Sequence, residues 1–311
     1  MEYVNDFLWE QGMSVQDLVR GYRNVGFQSV ELYKAKELIV KIKKNNAKTF
    51  LTFTSNMVTS GLRGFFAQLI RLKIANIVVT TVGAIEEDIM RAIGEKFPIG
   101  SFNADDVELH EQGVNRVGNL YITSESYMNF EDFMLPVLDK LYQKQKRWPV
   151  SDLLREIGLT LNDENSILFQ AAKNNVPIFC PAITDGSFGF HLYLFQQKHK
   201  DFIVDTVKDF GNILFATTHD EKKAVISLGG GASKHHAILS TLLNGGAEYA
   251  LFMTTAHKTS GSMGGATTSE AKSWGKVKDE ADVATVIGDV TILFPLAMIA
   301  ALEDLIDEGL L

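Results

Sequence analysis

One cysteine, Cys180, is all the thiol chemistry this chain of 311 residues carries. No internal disulfide and no cysteine-based metal site can form, and a reducing compartment, the cytoplasm, is the expected location. Positive charge is in deficit: 30 Lys and Arg face 38 Asp and Glu, for a net charge of -8. That balance argues against a chain-wide attraction to nucleic acid or an anionic membrane. Long apolar runs are missing too. The longest, 290–302, is too short to span a bilayer and reads as a buried helix. The opening "MEYVNDFLWEQGM" has no basic stretch before an apolar core, so it does not read as a signal peptide. There is no internal repeat, low-complexity tract or proline-rich linker. The seven histidines form no H-E-x-x-H pattern, so no catalytic metal is expected. Neither G-x-G-x-x-G nor G-x-x-x-x-G-K-[ST] occurs, so the usual dinucleotide and phosphate-loop fingerprints are unmet.

What the chain does have is core material and a repeating plan. Hydrophobic residues make up 46%, ample for one α/β domain over 1–311. Short β-branched runs at 49–56, 77–84, 176–187, 224–233, 248–256 and 284–290 end in Gly, Ser, Thr, Asn or Asp, and most give way to helical periodicity. Strands alternating with helices predict a doubly wound, mostly parallel sheet with helices on both faces. The runs are nearly all apolar, as strands buried on both sides require. The charged "YQKQKRWPV" (142–150) reads as a surface connection, and 97–129 as an elaboration at the ligand edge.

In such sheets ligands sit at the carboxyl ends of the strands. Six small or polar strand ends suggest a nucleotide cradle, where glycines admit a phosphate and helix N-termini supply N–H groups. Each candidate has a plainer reading. "TSN" (54–56) reads first as a set of helix caps. Glu86, Glu87 and Asp88 read as acids opening a helix. His235 and His236 fall on the first turn after a glycine run, where either could serve as general acid or base. Thr267 and Glu270 fit a capping box. Glu270 and Trp274, four apart, share a helix face and could hold a cation. Gly275 reads as a helix stop, and Lys276 after it as a solvated lysine whose ammonium form the helix end favours. A nucleophile needs the neutral amine, so the local sequence favours the structural reading of Lys276.

The strings "FTSNMVTSGLR", "VTTVGAIEED", "GVNRVGNLYI", "FEDFMLPVLD", "VPIFCPAITDGSFG", "LGGGASKHH" and "EAKSWGK" change that balance. Their order and spacing resemble the deoxyhypusine synthase family over nearly the whole chain, from 19 to 296. The resemblance implies a Rossmann-like α/β fold, NAD as cofactor, spermidine as substrate and a homotetramer with sites between subunits. It implies transfer of a 4-aminobutyl group, through an enzyme-lysine imine, to a lysine of the hypusine-containing translation factor. A related activity uses putrescine as acceptor and makes homospermidine, and some divergent members are inactive regulatory paralogues. By resemblance the imine-forming lysine is Lys276. The NAD contacts fall on Ser55, Asn56, Thr59, Thr81, Glu87, Asp185, Gly229, Gly230, Gly231, Thr255, Ala256 and Asp289. The polyamine contacts fall on Glu87, Ser187, His235, Glu270 and Trp274, with His235 near the reacting centre and Lys234 also matching. Five expected polar positions depart: Phe190 and Met263 stand for carboxylates, Ser260 for an aspartate, Leu239 for an Asn and Phe252 for a Tyr. Prokaryotic members vary at these places, so the resemblance is to the archaeal or bacterial type.

Overall fold

The computed structural model describes residues 3–311. Ten strands follow one another: β1 (Lys48–Thr52), β2 (Ile77–Val79), β3 (Val114–Val117), β4 (Leu120–Thr123), β5 (Arg147–Pro149), β6 (Ile178–Phe179), β7 (Ile203–Asp205), β8 (Lys223–Leu228), β9 (Ala247–Thr254) and β10 (Val277–Ile287). The chain divides into two compact units. One holds the residues up to Phe53, Ile74–Val79 and Ile213–Leu311; the other holds Thr54–Lys73 and Thr80–Asn212.

In the first unit lie five of the six strands of the main sheet, in the order β10-β9-β8-β1-β2. All four of these pairings are parallel, with Leu51 opposite Ile226 and Val78, and Ile226 opposite Leu251. The expected doubly wound parallel sheet is therefore present; β1, β2, β8 and β9 are buried as the apolar runs required, whereas the edge strand β10 exposes Asp279, Glu280, Asp282, Val283 and Ile287. Helices Gln28–Lys44 and Val290–Asp307 pack on each other and on β9, while Gly231–Leu242 packs on β8 and β1. The apolar run after Asp289 is a buried helix as read, capped by the Asp289 carboxylate on Thr291 N at 2.8 Å. From β1 the chain goes on to its neighbour β2; from β8 it goes the other way, to β9 and then β10. The boundary between the paired strands β1 and β8 is thus a topological switch point, and in such sheets ligands bind in the crevice outside the carboxyl ends there. Gly229–Gly231 follows β8 at that end.

The second unit carries the antiparallel hairpin β3–β4 and the parallel pair β5–β7. Gly118, at φ +62, takes the first position of the two-residue hairpin loop, a backbone setting that favours glycine. The stretch 142–150 is not a loose surface connection. It ends helix Ser124–Lys144 and enters β5, where Trp148 is buried with its indole N–H on Gln145 O. Cys180, just after β6, is buried and free, and burial pushes its thiol pKa up. No helix among the described residues is long and apolar enough to cross a membrane.

Candidate active site

Lys276 owes its place to a helix end. Helix Thr268–Ser273 starts at the N-cap Thr267, whose hydroxyl accepts from Glu270 N at 3.2 Å. This is one half of the expected capping box. The helix stops at Gly275, which takes φ +67. Gly275 N–H reaches Lys272 O at 2.8 Å and Lys276 N–H reaches Ala271 O at 3.1 Å. This pair of bonds is the Schellman arrangement, which a left-handed glycine permits. Lys276 then enters β10 with its own carbonyl accepting from Thr241 Oγ1 and Ala247 N. The side chain is turned inward and only 6% exposed, so the local reading of a solvated lysine is overturned. Gly275→Ala is expected to cost about 1 kcal/mol, from the strained φ and a Cβ 3.3 Å from Leu242. Urea unfolding measures that cost, and turnover should fall further because the Lys276 backbone shifts.

Lys276 lines a cavity of about 180 Å³ with Lys234, His235, Ile238, Phe252, Met263, Ala266, Thr267, Glu270, Ala271 and Trp274. Its ammonium sits 5.0 Å from the Trp274 ring centroid, within cation–π range. Glu270 is the cavity's one carboxylate. His235, on the second turn of its helix and not the first, has its pKa lowered by burial and then by the charge of Lys276. Lys234 is fully buried; its Nζ donates to Ala266 O at 2.7 Å and stands 4.0 Å over the Phe252 ring. Burial pulls its pKa down to about 8, against a raising effect from Glu270. Two of the departures, Phe252 and Met263, are apolar walls of this cavity, while Ser260 is exposed. The full burial of Lys234 was not legible, since its carbonyl partner lies 32 residues away.

The glycine run adjoins this cavity's loop. Gly229 and Gly231 take φ +81 and +72, and a Cβ on Gly230 would stand 2.2 Å from Gly264 Cα. Helix Gly231–Leu242 has no side-chain cap, so its first N–H groups are unclaimed by any cap. An uncapped helix start behind a glycine turn, at the switch point, fits the phosphates of a dinucleotide. Thr255 is exposed, Ala256 N is bonded to Thr254 Oγ1 at 3.0 Å, and Asp289 is exposed at its helix start.

The second unit collects the remaining candidates. Thr54 occupies the N-cap position of Ser55–Met57, but its hydroxyl bonds Asn56 Oδ1 and caps nothing. Ser55 N–H donates to Thr81 Oγ1 at 3.1 Å, and Gly83 lets the two segments meet, since a Cβ there would stand 2.8 Å from Ser55 Cβ. The helix expected to open on the three acids starts four residues earlier, at Val82, with Thr81 as N-cap. The acids therefore lie on its second turn, all three buried, and not at the dipole's positive end. Glu86 accepts from Phe188 N at 2.9 Å. Glu87 accepts from Thr59 Oγ1. Asp88 is bound by Arg63. Asp185 is exposed. Ser187 begins helix Ser187–Lys198, on which Phe190 is exposed.

Burial pushes the Glu87 carboxyl pKa up to about 8, with Glu86 adding to the rise and Thr59 opposing it. A carboxyl raised in the folded state gives stability that is full below its unfolded value near 4.5. That stability drains away as pH climbs through the folded value. Glu87→Gln removes the titration and keeps an acceptor for Thr59. It should raise stability above about pH 8 by on the order of 2 kcal/mol, flatten the thermal midpoint against pH, and weaken amine binding. A thermal melt series across pH that keeps the wild-type slope would refute the assignment.

A buried amine in an apolar cavity next to a glycine turn is the layout of a group-transfer enzyme on a nucleotide-type sheet. The family model for deoxyhypusine synthase matches residues 17–301, and the chain belongs to that family. It is 38% identical over 297 residues to a Thermoplasma volcanium protein assigned as deoxyhypusine synthase, covering 95% of this chain and 96% of the other. It is 36% identical to the deoxyhypusine synthase of Neurospora crassa, covering 91% of this chain and 85% of that one. A crystal structure of an Entamoeba histolytica protein assigned to the same synthase superposes with a TM-score of 0.68 at 27% identity, covering 96% of both chains.

Proposed function

We propose that this enzyme transfers the 4-aminobutyl group of spermidine, through an imine on Lys276, to a lysine of the hypusine-containing translation factor. The observation that carries the reading is the inward-turned Lys276 in a cavity with one carboxylate, one indole and one imidazole. The matching relatives are deoxyhypusine synthases, which favours a protein acceptor over putrescine.

NAD, when bound, supplies the oxidation that makes the amine carbon electrophilic and the reduction that closes the cycle. By the family resemblance, its contacts would fall on Gly229, Gly230, Gly231, Thr255, Ala256 and Asp289, and on Ser55, Asn56, Thr59, Thr81, Glu87 and Asp185. The rest belongs to side chains of this chain. Glu270 and the Trp274 face attract an alkylammonium and hold its end. Phe252, Met263 and Ile238 exclude water, which protects an imine from hydrolysis. His235, whose pKa is lowered by desolvation and by the charge of Lys276, would take a proton from a reacting amine. Lys234 donates to Ala266 O and so fastens the loop wall opposite. The family resemblance also assigns polyamine contacts to Glu87 and Ser187. As in the family, we place the sites between subunits of a homotetramer; the exposed Phe190 and Tyr193 on helix Ser187–Lys198 suit such an interface.

The test supplies NAD and butyl-labelled spermidine, then either the translation factor or putrescine. Label should appear on the factor's lysine. Label on putrescine alone would transfer the assignment to homospermidine synthesis, and no label on either would end the enzyme reading.

A further inference from the structure

His191 takes no part in the chemistry above. It lies on helix Ser187–Lys198, one turn after Ser187, and is 5% exposed. Its Nε2 is 3.2 Å from Ser187 Oγ. Its Nδ1 is buried without a hydrogen-bond partner. The Glu131 carboxylate stands 3.9 Å from Nδ1, on helix Ser124–Lys144. The Phe130 and Phe190 rings lie against the imidazole at 5.6 and 6.0 Å between centroids. Both helices packed on this one bring ionisable groups. Val82–Ala92 brings Glu86, held by Phe188 N–H and Ser187 N–H, and Glu87, held by Thr59. Ser124–Lys144 brings Glu131 and also Tyr127, whose phenol burial pushes up to about 12.

These surroundings select one tautomer. A lone pair on Nδ1 would face a carboxylate with no donor between them. A proton on Nδ1 is attracted to that carboxylate instead. Nε2 is then the acceptor, and the Ser187 hydroxyl donates to it. With its one hydrogen committed to the imidazole, Ser187 Oγ offers only lone pairs to anything else that approaches.

We propose that His191 is a positioning and specificity residue: it holds the Ser187 hydroxyl so that Ser187 presents an acceptor-only oxygen to an ammonium or amine N–H of the polyamine. The inference rests on the assignment of Ser187 to the polyamine site. Protonation of His191 reverses the arrangement. Nε2 then donates to Oγ, and the hydroxyl hydrogen turns toward the incoming cation. Burial lowers the imidazole's pKa and Glu131 partly restores it, so the reversal falls on the acid side of the ordinary histidine range. Polyamine affinity is full above that point and is lost as pH falls through it.

The experiment measures kcat and KM for spermidine from about pH 5 to about pH 9, on the full-length enzyme with saturating NAD. The wild type is compared with His191→Met, Ser187→Ala, the double variant and Glu131→Gln. His191→Met should raise KM about tenfold, the worth of one hydrogen bond to a charged group, with kcat within about twofold. It should also erase the acid-side rise in KM. The double variant should be no worse than Ser187→Ala alone. Glu131→Gln, at a half-exposed site, should keep the fold and move the acid limb to lower pH, because the charge favouring imidazolium is gone. Should Ser187→Ala raise KM while His191→Met leaves both KM and its acid limb alone, the role of His191 is overturned and that of Ser187 stands. An unmoved limb in Glu131→Gln also overturns it, even if His191→Met fails to fold. A Ser187→Ala enzyme with wild-type KM overturns both assignments, while label still reaching the translation factor would leave the transferase reading intact.

Discussion

Replacing Lys276 by alanine should abolish transfer, with turnover down by at least about a thousandfold, and leave the fold and NAD binding in place. The backbone explains why the fold survives. Every hydrogen bond that anchors residue 276 uses its N–H or its carbonyl, to Ala271, from Ala247 and from Thr241. Alanine keeps all three. Lys276→Arg should be as inactive, because a guanidinium stays charged and is no nucleophile at neutral pH. Borohydride added during turnover should fix a butylamine adduct on Lys276. The rival is inside the same cavity. Lys234, with its pKa near 8, loses its proton more readily than an ordinary lysine. It is however fully buried, bonded to Ala266 O and pressed on the Phe252 ring, which leaves its nitrogen committed. An adduct mapped to Lys234, or an alanine variant at position 276 retaining a tenth of wild-type turnover, would reverse the assignment.

Asp88→Ala should be the most destabilising single change in the second unit, at about 3–5 kcal/mol. The Asp88 carboxylate accepts from Arg63 Nε, Ser166 Oγ at 2.9 Å, Ile167 N at 3.1 Å and Leu168 N at 2.8 Å. It thus neutralises a buried guanidinium and closes the start of helix Ile167–Lys173 in one stroke. Alanine leaves the guanidinium with Asp163 as its one remaining carboxylate, 2.7 Å away, and frees two helix N–H groups without water. Against a total stability of about 5–15 kcal/mol, such a loss should move the urea midpoint sharply. Asp88→Asn keeps an oxygen for the N–H groups and should fall between. A midpoint for the alanine variant within about 1 kcal/mol of wild type would mean that Arg63 finds another partner.

Asp88 also shows what sequence pattern can and cannot convey. Three consecutive acids after a strand read as dipole partners of a helix start. The helix begins at Val82, because Thr81 already breaks from the strand, and the acids are carried inward. Glu86 caps one helix, Glu87 is hydrogen-bonded to Thr59, and Asp88 caps another helix. Each partner is 25 residues or more away, so no local pattern reports it. By contrast the six strands of the main sheet were legible, since an apolar run with a polar end is a local signal. The hairpin β3–β4 was missed although "VNRVGNLYIT" holds two β-rich runs around Gly-Asn, a readable turn. β5 and β7, three residues each, are too short to show periodicity. The helix stop at Gly275 was legible from the glycine alone. The inward turn of Lys276 was not, because it depends on Phe252 and Met263 forming walls, which only the assembled sheet provides.

The lone Cys180 gives this molecule a clock of its own. A thiol modifier reaches it only when the backbone around Ile178–Phe179 opens, and the raised pKa keeps the closed form unreactive besides. With one thiol in the chain, the labelling rate counts openings at one known address. Bound spermidine or NAD that tightens the second unit would slow that count, and no tag or probe need be introduced to hear it.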